Sequence, residues 1–257
     1  MSSGVEYGDL SSRREYIWFA FQALQSELKS KGPSLQKSRD GGAAELIAGI
    51  LGALGFSPGP IILNYPGHDV EDSAPDLFDS RQMLLVTTRP PLDPFDRKPI
   101  DCSGSPLERR VFQSFRTFLA WCSRSTIELT NRVEQALGKD KKHLARTDFS
   151  VYLGASAVDV PFEMKQPSRS LGYMISAAAA WPKGPRLLGV FSAGGTETLS
   201  WAYILVTKHR ELLRRAVESD RDMVAIGEFA LPDRNLDRHG SLRFLDRVQS
   251  TVTVCQL

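Results

Sequence analysis

The sequence predicts an α/β protein, in which a parallel or mixed sheet is flanked by helices and preceded by a helical N-terminal part. In the C-terminal part, short apolar runs alternate with a helical pattern, as in strand–helix–strand units. In the N-terminal part, apolar residues recur mainly at helical spacing. The chain of 257 residues is long enough for one large domain or two small ones. We assign residues 1–100 to a helical part with two candidate strands and residues 101–257 to the α/β part, with one continuous domain as the alternative.

The composition narrows the class of protein. Hydrophobic residues make up 42% and charged residues 24%, values typical of a globular chain. The formal net charge of +2 lacks the basic excess of a dedicated nucleic-acid binder, so no nucleic acid partner is expected. The three cysteines have no zinc-binding spacing and fit the reduced thiols of a cytoplasmic protein. The polar N-terminus and the absence of any apolar run of roughly 20 residues predict no membrane attachment, and we expect no metal or cofactor.

Helical patterns dominate the first hundred residues. A capping box at Ser12 begins the first predicted helix. A second helix is predicted over residues 40–54, with Gly55 as its C-terminal stop. Apolar runs at 61–63 and 83–88 are the two candidate strands, and four prolines between 90 and 99 form an extended connector.

A long helix is predicted over residues 105–137. Ser105 and Glu108 form a capping box around Pro106, and Gly138 marks the end. One apolar stripe runs along it, with most arginines lying off the stripe. We interpret it as a scaffold helix, with an interface for a protein partner as the alternative. The stripe comprises Leu107, Val111, Phe115, Phe118, Cys122, Leu129, Val133 and Leu137.

The C-terminal part changes to a strand-rich pattern. Nearly continuous apolar runs, typical of buried strands, are interrupted by one helical stretch. Strands are predicted at 149–154, 173–180, 187–191, 223–231 and 251–255, with a helix at 196–217. This order predicts a βαβ unit over residues 187–230 with its two strands parallel.

Two glycines connect a predicted strand to this helix. Gly194 and Gly195 would let a ligand approach the backbone, and the free N–H groups of the first helical turn favour an anion. Thr196 and Thr198 add hydroxyl groups. The turn is therefore a candidate phosphate site, and the alternative is a plain tight turn with Thr196 as the N-cap.

The same six residues, GGTETL from Gly194 to Leu199, resemble the GGxGT motif of lysine-decarboxylase-like phosphoribohydrolases and of nucleotide-sensing SLOG domains. The resemblance implies a Rossmann-like fold and a nucleotide phosphate at this turn. The sequence departs from the motif at Glu197, where glycine is usual, and at Ser200 and Trp201, where the catalytic glutamate is expected. The resemblance therefore implies the fold and the phosphate site more than the hydrolase activity.

The turn also resembles the nucleophile elbow of serine hydrolases, with Ser192 as the nucleophile. The position two residues earlier is Val190 rather than glycine. Asp233 and His239 follow in the hydrolase order, but too close to Ser192 for the strands that usually carry an acid and a base. We therefore predict that Ser192 is not an acylating nucleophile, and we keep it among the candidate ligand contacts.

Three carboxylates complete the candidate binding residues. Asp159 and Glu163 follow a predicted strand, where ligand sites of α/β sheets gather, and either could bind a ribose or act as a base. Glu228 lies within a predicted strand and is a candidate buried carboxylate. The alternatives are a helix cap for Asp159 and a solvent-facing strand position for Glu228.

These observations favour a nucleotide- or phosphate-ligand-binding domain, acting as a sensor in an intracellular signalling or defence assembly. The first alternative is a hydrolase, either a nucleotide N-glycosidase or a serine hydrolase using Ser192. The second is a non-enzymatic interaction subunit that uses the helix at 105–137. The catalytic residues of any such enzyme stay unassigned.

Overall fold

The computed structural model describes residues 35–55, 83–87, 106–139, 141, 144–147, 150–153, 168–180, 182, 184–231, 236 and 242–256. The predicted helix at Ser12, the strand at 61–63, and Asp159, Glu163, Asp233 and His239 lie outside these residues. In chain order the elements are α1 (Leu35–Ala53), β1 (Met83–Val86), α2 (Pro106–Leu137), β2 (Leu144–Thr147), β3 (Ser150–Leu153), β4 (Ser168–Ala178), β5 (Arg186–Phe191), α3 (Gly195–Lys208), α4 (Arg210–Glu218), β6 (Met223–Leu231), a 3-10 helix (Leu242–Arg247) and β7 (Ser250–Gln256).

The seven strands form one mixed sheet around β4. One edge of β4 pairs with β6, and the other edge pairs with both β5 and β3. Outside these lie β7 next to β6, β2 next to β3, and β1 next to β5. The β1–β5 pair is parallel and the other five described pairings are antiparallel. The predicted α/β class and mixed sheet are confirmed, but these pairings do not establish a Rossmann-like strand order.

The predicted βαβ unit is present. Strands β5 and β6 are each antiparallel to β4, so they run in the same direction. Helices α3 and α4 connect them. The two strands are not neighbours, because β4 lies between them, and this insertion makes the sheet mixed.

Helices cover both faces of the sheet. Helices α1, α3 and α4 pack against one face and share a core with residues of β1, β4, β5 and β6. Helix α2 packs against the opposite face in a second core. Because α1 and β1 contribute to the same sheet and core as the C-terminal elements, the described part of the chain forms a three-layer α/β/α arrangement.

Helix α2 agrees with the sequence prediction at both ends. It spans Pro106–Leu137, and Gly138 follows with φ 59°, a left-handed conformation that favours glycine. The predicted apolar stripe is buried from Val111 to Leu137, while Arg124 and Arg132 are exposed.

Helix α1 is longer than predicted. It begins at Leu35 instead of residue 40, and it ends at Ala53 before Gly55, whose φ is 87°. Strand β4 likewise begins at Ser168 rather than 173. The short strand β2 was not predicted, because Leu144–Thr147 carries no apolar run.

The prediction of one helix over residues 196–217 was wrong. The helix breaks at His209, whose φ of −124° and ψ of 34° are not helical. The His209 ring nitrogen Nε2 lies 2.9 Å from Ser250 Oγ, and Lys208 donates to the Val248 carbonyl. These contacts to Val248 and to the first residue of β7 stabilise the break at His209. After the break α4 changes direction, and its Leu212 and Leu213 are buried.

Trp201 fixes α3 on the sheet. Its indole is fully buried and lies over Gly172 of β4 and Gly227 of β6. A Cβ atom at Gly172 would come within 2.2 Å of the indole, and one at Gly227 within 2.0 Å. The indole N–H donates to the Tyr173 carbonyl at 3.2 Å, and the ring stacks on Phe229. The helix therefore sits close to the sheet only because both strand positions are glycine.

Within the described residues, none of the helices combines the length and the apolar character needed to cross a membrane.

Candidate functional site

Buried polar side chains concentrate at one end of the sheet. β1 and β5 are parallel neighbours, and their carboxyl ends meet at this edge, where α/β proteins commonly bind ligands. Of eleven buried polar or charged residues described, seven lie here, and we call them the polar cluster. Its members are Thr87, Ser170, Ser192, Thr196, Glu197, Thr198 and Ser200.

The strand–glycine–helix connection lies within this cluster. Strand β5 ends at Phe191 and α3 begins at Gly195, with Gly194 as its N-cap and no side-chain cap hydrogen bond. The alternative with Thr196 as N-cap is therefore wrong. Gly194 is extended, at φ −156° and ψ 171°. Any residue can adopt this conformation, so glycine is favoured here by the lack of space: a Cβ atom would lie 3.0 Å from Glu197 Oε2.

Three of the cluster's hydroxyl groups support the turn itself. Thr198 Oγ1 accepts a hydrogen bond from the Ser192 backbone N–H at 3.0 Å. Ser192 Oγ donates to the Leu171 carbonyl at 2.6 Å, and Ser200 Oγ donates to the Thr196 carbonyl at 2.8 Å. Ser192 is fully buried. An elbow serine must expose its Oγ, so this environment supports the prediction that Ser192 is not an acylating nucleophile.

Helix α1 brings a cation to the first turn of α3. Arg39 is partly exposed, and its guanidinium donates to the hydroxyl of Thr196. The contact joins residues 157 positions apart in the chain, and it depends on α1 packing beside α3. The sequence pattern around Gly194 did not point to this arginine.

The first turn of α3 also holds an acid. Glu197 is only 1% exposed. A carboxylate in the first turn interacts favourably with the positive end of the helix dipole. The site therefore combines a guanidinium, a buried carboxylate and the first backbone N–H groups of a 14-residue helix.

Ser170 is buried, and its hydroxyl has no hydrogen-bond partner among the described residues. Side chains alternate along β4, so Ser170 faces the same side as Gly172, which Trp201 covers. On α3, Glu197 lies one helical turn before Trp201, so it is nearer than Trp201 to the end of the sheet that contains Ser170. The Ser170 side chain is thus on the α3 side of the sheet, near the first turn of α3.

Asp40 lies next to Arg39 on α1, at the same end of the sheet. Its backbone carbonyl accepts a hydrogen bond from Thr87 Oγ1 at 2.9 Å, just beyond β1. No hydrogen bond or ion pair to its carboxylate is found in the described part of the chain. Burial raises the pKa of this carboxyl to about 7. A carboxyl that changes charge near neutral pH can hold or release a proton during a reaction.

Glu228 is separate from the polar cluster. It faces α2 on the opposite side of the sheet, where its two carboxylate oxygens accept hydrogen bonds from two arginines. The distances are 2.7 Å to Arg132 and 2.6 Å to Arg169. Glu228 is thus neither solvent-facing nor beside the glycine turn, and the structure does not bring it together with Gly194.

A groove of about 420 Å³ adjoins Glu228, between α2 and strands β6 and β7. Arg124 lies 5.4 Å above the Trp121 ring, and no ion pair to Arg124 is found among the residues described. The lining side chains come from α2, β4, β6 and β7 and include Trp121, Arg124, Arg132, Ile226, Glu228 and Thr253.

Sequence reasoning missed Arg39, Asp40, Thr87 and Ser170. Arg39 and Asp40 directly precede Gly41 and Gly42, so a charged pair beside two glycines was the available signal. We interpreted that region only as the start of a helix. Nothing in the sequence near Thr87 or Ser170 indicates that they meet the glycine turn, since only the strand order places them there.

Within the described residues, no group of three or more histidine, cysteine, aspartate or glutamate side chains could hold a metal ion. The chain matches no family model, no curated protein and no solved structure. The geometry of the polar cluster is therefore the basis for inferring function.

Proposed function

We propose that the chain binds a phosphorylated small molecule of the nucleotide class at the polar cluster. One observation carries the proposal. Buried polar side chains, including the unpartnered Ser170 hydroxyl, concentrate beneath the first turn of α3 at the carboxyl ends of β1 and β5. A buried hydroxyl without a partner costs free energy, so a site that retains one is suited to a ligand that completes its hydrogen bonds.

The phosphate would bind at the start of α3. The first-turn N–H groups and the helix dipole favour an anion. Arg39 adds a guanidinium that already contacts the Thr196 hydroxyl, and guanidinium groups bind phosphate oxygens well. Ala193 and Gly194 are partly exposed, whereas residues 195–198 are buried, so the ligand would approach from the side of Ala193 and Gly194.

The rest of the ligand must offer hydrogen-bond donors. Glu197 is a buried carboxylate in the same turn and repels any nearby anion, the phosphate included, so the Arg39 guanidinium has to offset this repulsion. The carboxylate can accept hydrogen bonds from the rest of the ligand. The Ser170 hydroxyl can donate or accept. A sugar hydroxyl group next to a phosphate meets both requirements, and for this reason we favour a nucleotide over inorganic phosphate.

The test is a thermal-shift screen of nucleotides, sugar phosphates and inorganic phosphate, followed by calorimetry on the ligands that stabilise the chain. At a ligand concentration of 100 times Kd, binding stabilises the native state by about 2.7 kcal/mol. We expect a nucleotide to raise Tm more than inorganic phosphate does. The proposal fails if no compound of the panel raises Tm at millimolar concentration.

Matched arginine variants locate the site. Arg39→Ala should weaken nucleotide binding at least tenfold, because it removes the cation beside Thr196. Arg214→Ala is the control, since this exposed arginine on α4 pairs only with Glu211 and Glu218 among the described residues. Equal loss in both variants would place the ligand elsewhere.

A second candidate is hydrolysis of the glycosidic bond of the same ligand, and Asp40 favours it. Its pKa of about 7 allows it to act as an acid or a base at neutral pH. Release of a free base from a bound nucleotide, lost in Asp40→Asn with binding retained, would identify an enzyme. Binding without release would instead fit a sensor.

A further inference from the structure

Strand β7 lies at the edge of the sheet with an exposed surface. It pairs with β6 along one side over residues 250–256, and no described strand pairs with its other side. Thr251, Thr253 and Val254 are exposed, and among the described residues Val254 is one of two large hydrophobic side chains with high exposure, at 37%. A seven-residue strand thus presents unpaired backbone groups together with an apolar side chain.

Natural edge strands are usually protected against pairing with another chain by lysine, proline, a bulge or an inward-pointing charge. Strand β7, of sequence STVTVCQ, contains no charged residue and no proline. Four consecutive residues from Thr251 to Val254 are β-branched, which favours strand pairing. We propose that β7 pairs antiparallel with β7 of a second copy of this chain, so that the two sheets form one continuous sheet across a two-fold axis.

The strand is complementary to its own copy. Full overlap of Ser250–Gln256 places Thr253 opposite the partner's Thr253 and Val254 opposite the partner's Val252. Threonine–threonine and valine–valine pairs stabilise neighbouring strands, and no like charges meet. The pairing covers the exposed Val254 side chains, and both surfaces are the same patch, as two-fold symmetry requires.

The pairing also joins the two grooves. Antiparallel strands of one sheet are related by an axis perpendicular to the sheet, so α2 of each copy lies on the same face. The groove of about 420 Å³ beside β7 then meets its copy across the axis. The joined trough then contains Arg124 and Glu128 of each copy.

Sedimentation equilibrium of the full chain tests the proposal. A strand pair of seven residues buries less than the roughly 1,200 Å² of a standard interface, so we expect a reversible dimer at micromolar concentration. Val254→Lys should make the chain monomeric by placing a charge in the interface. Ile127→Lys is the control, since Ile127 is 44% exposed on α2 and is not among the side chains that line the groove beside β7, and it should leave the dimer intact.

Cross-linking checks the register. In a Cys255→Ser background, Thr253→Cys should form a disulfide between copies when copper–phenanthroline oxidises the two thiols, because paired Cα atoms in an antiparallel sheet lie within disulfide range. Gln135→Cys, exposed on α2, should not. A chain that is monomeric at all concentrations overturns the proposal, as does a dimer that Val254→Lys leaves intact. A monomer that gains mass only with an added peptide would point to a different occupant.

Discussion

On the α2 face of the sheet, buried hydroxyl groups are paired within the protein, whereas on the α3 face one is left unpaired. Beneath α2, Tyr173 donates to the Cys122 carbonyl at 3.1 Å, Thr130 donates to the Thr126 carbonyl, and Ser114 accepts from the Ala180 backbone N–H. Beneath α3, the Ser170 hydroxyl has no partner in the described part of the chain.

Under the proposed function, the two faces differ in what their buried hydroxyl groups do: those beneath α2 stabilise the fold, whereas Ser170 beneath α3 binds a ligand. A hydroxyl that forms a hydrogen bond within its own helix or to the next strand offsets the free-energy cost of its burial and stabilises the fold. The Ser170 hydroxyl, which has no partner among the described residues, does not stabilise the fold in this way, and under the proposed function a ligand completes its hydrogen bonds. Single substitutions on each face test this distinction, and the largest effect is expected on the α3 face.

Gly227→Ala should have the largest effect. Its Cβ atom would lie 2.0 Å from the Trp201 indole, so α3 would have to move away from the sheet. We expect a loss of about 3 kcal/mol in the free energy of unfolding, at the upper end of overpacking costs, measured by urea titration.

Two further variants check the cause. Trp201→Phe removes the ring atoms that Gly227→Ala would meet, so the double variant should be more stable than the sum of the two single changes predicts. Gly52→Ala, where a Cβ atom would meet nothing within 4 Å, should be neutral or stabilising by up to about 1 kcal/mol. If the stability losses of the two single variants are additive in the double variant, a side chain at position 227 does not clash with Trp201.

Asp40→Asn should change how stability depends on pH. In the folded chain burial raises the pKa of Asp40 from 3.8 to about 7, so the native state binds a proton that the unfolded state releases between these values. The stability that this group contributes is present below pH 4 and is lost as pH rises through 7. The variant lacks this loss, so it should match the unaltered chain most closely near pH 4 and be the more stable of the two at pH 8.

Urea titrations at pH 4 and pH 8 measure the effect. The difference in the free energy of unfolding between Asp40→Asn and the unaltered chain should increase with pH. A constant difference would show that the Asp40 carboxyl titrates normally and would remove the support for its role as an acid or base.

The sequence predicted local features well. The capping box before Pro106, the stripe along α2 and the glycine stops at 55 and 138 all have their causes within a few neighbouring residues. The start of α3 after two glycines is equally local. Such features require only the pattern of a short segment.

Features that depend on distant contacts were not predicted. The break at His209 depends on Ser250 and Val248, and no pattern within residues 196–217 encodes it. The insertion of β4 between β5 and β6 is likewise a property of the whole sheet. The same holds for the site, because the turn at Gly194 was visible whereas Arg39 and Ser170 reach it only through tertiary packing.

Thr196→Ala should separate binding from folding. The hydroxyl accepts a hydrogen bond from Arg39, and its loss should weaken ligand binding by about 1.5 kcal/mol, the lower end of the range for a hydrogen bond to a charged group. Calorimetry measures binding, and denaturant titration measures folding. Thr130→Ala on α2, where the hydroxyl donates to the Thr126 carbonyl, should affect folding alone.

Removing single hydroxyl groups on the two faces should give the smallest effects and the most direct comparison. Tyr173→Phe should cost about 1 kcal/mol of stability, because the Cys122 carbonyl loses a donor. Ser170→Ala should cost nothing without ligand, since its hydroxyl has no partner among the described residues, yet it should weaken binding. Equal destabilisation by both variants, measured by urea titration, would contradict the distinction between the faces.

The parallel pairing of β1 with β5 has a consequence for the order of folding. Met83 pairs with Arg186, so about 100 residues of intervening chain must be gathered before this contact forms, and such long-range pairings form slowly. The β4–β5 and β6–β7 pairings join segments much closer in sequence. We expect β4 to β7 to assemble first and α1 with β1 to dock last. Arg39 and Thr87 therefore reach their positions last, and the polar cluster is completed only when the whole sheet has formed.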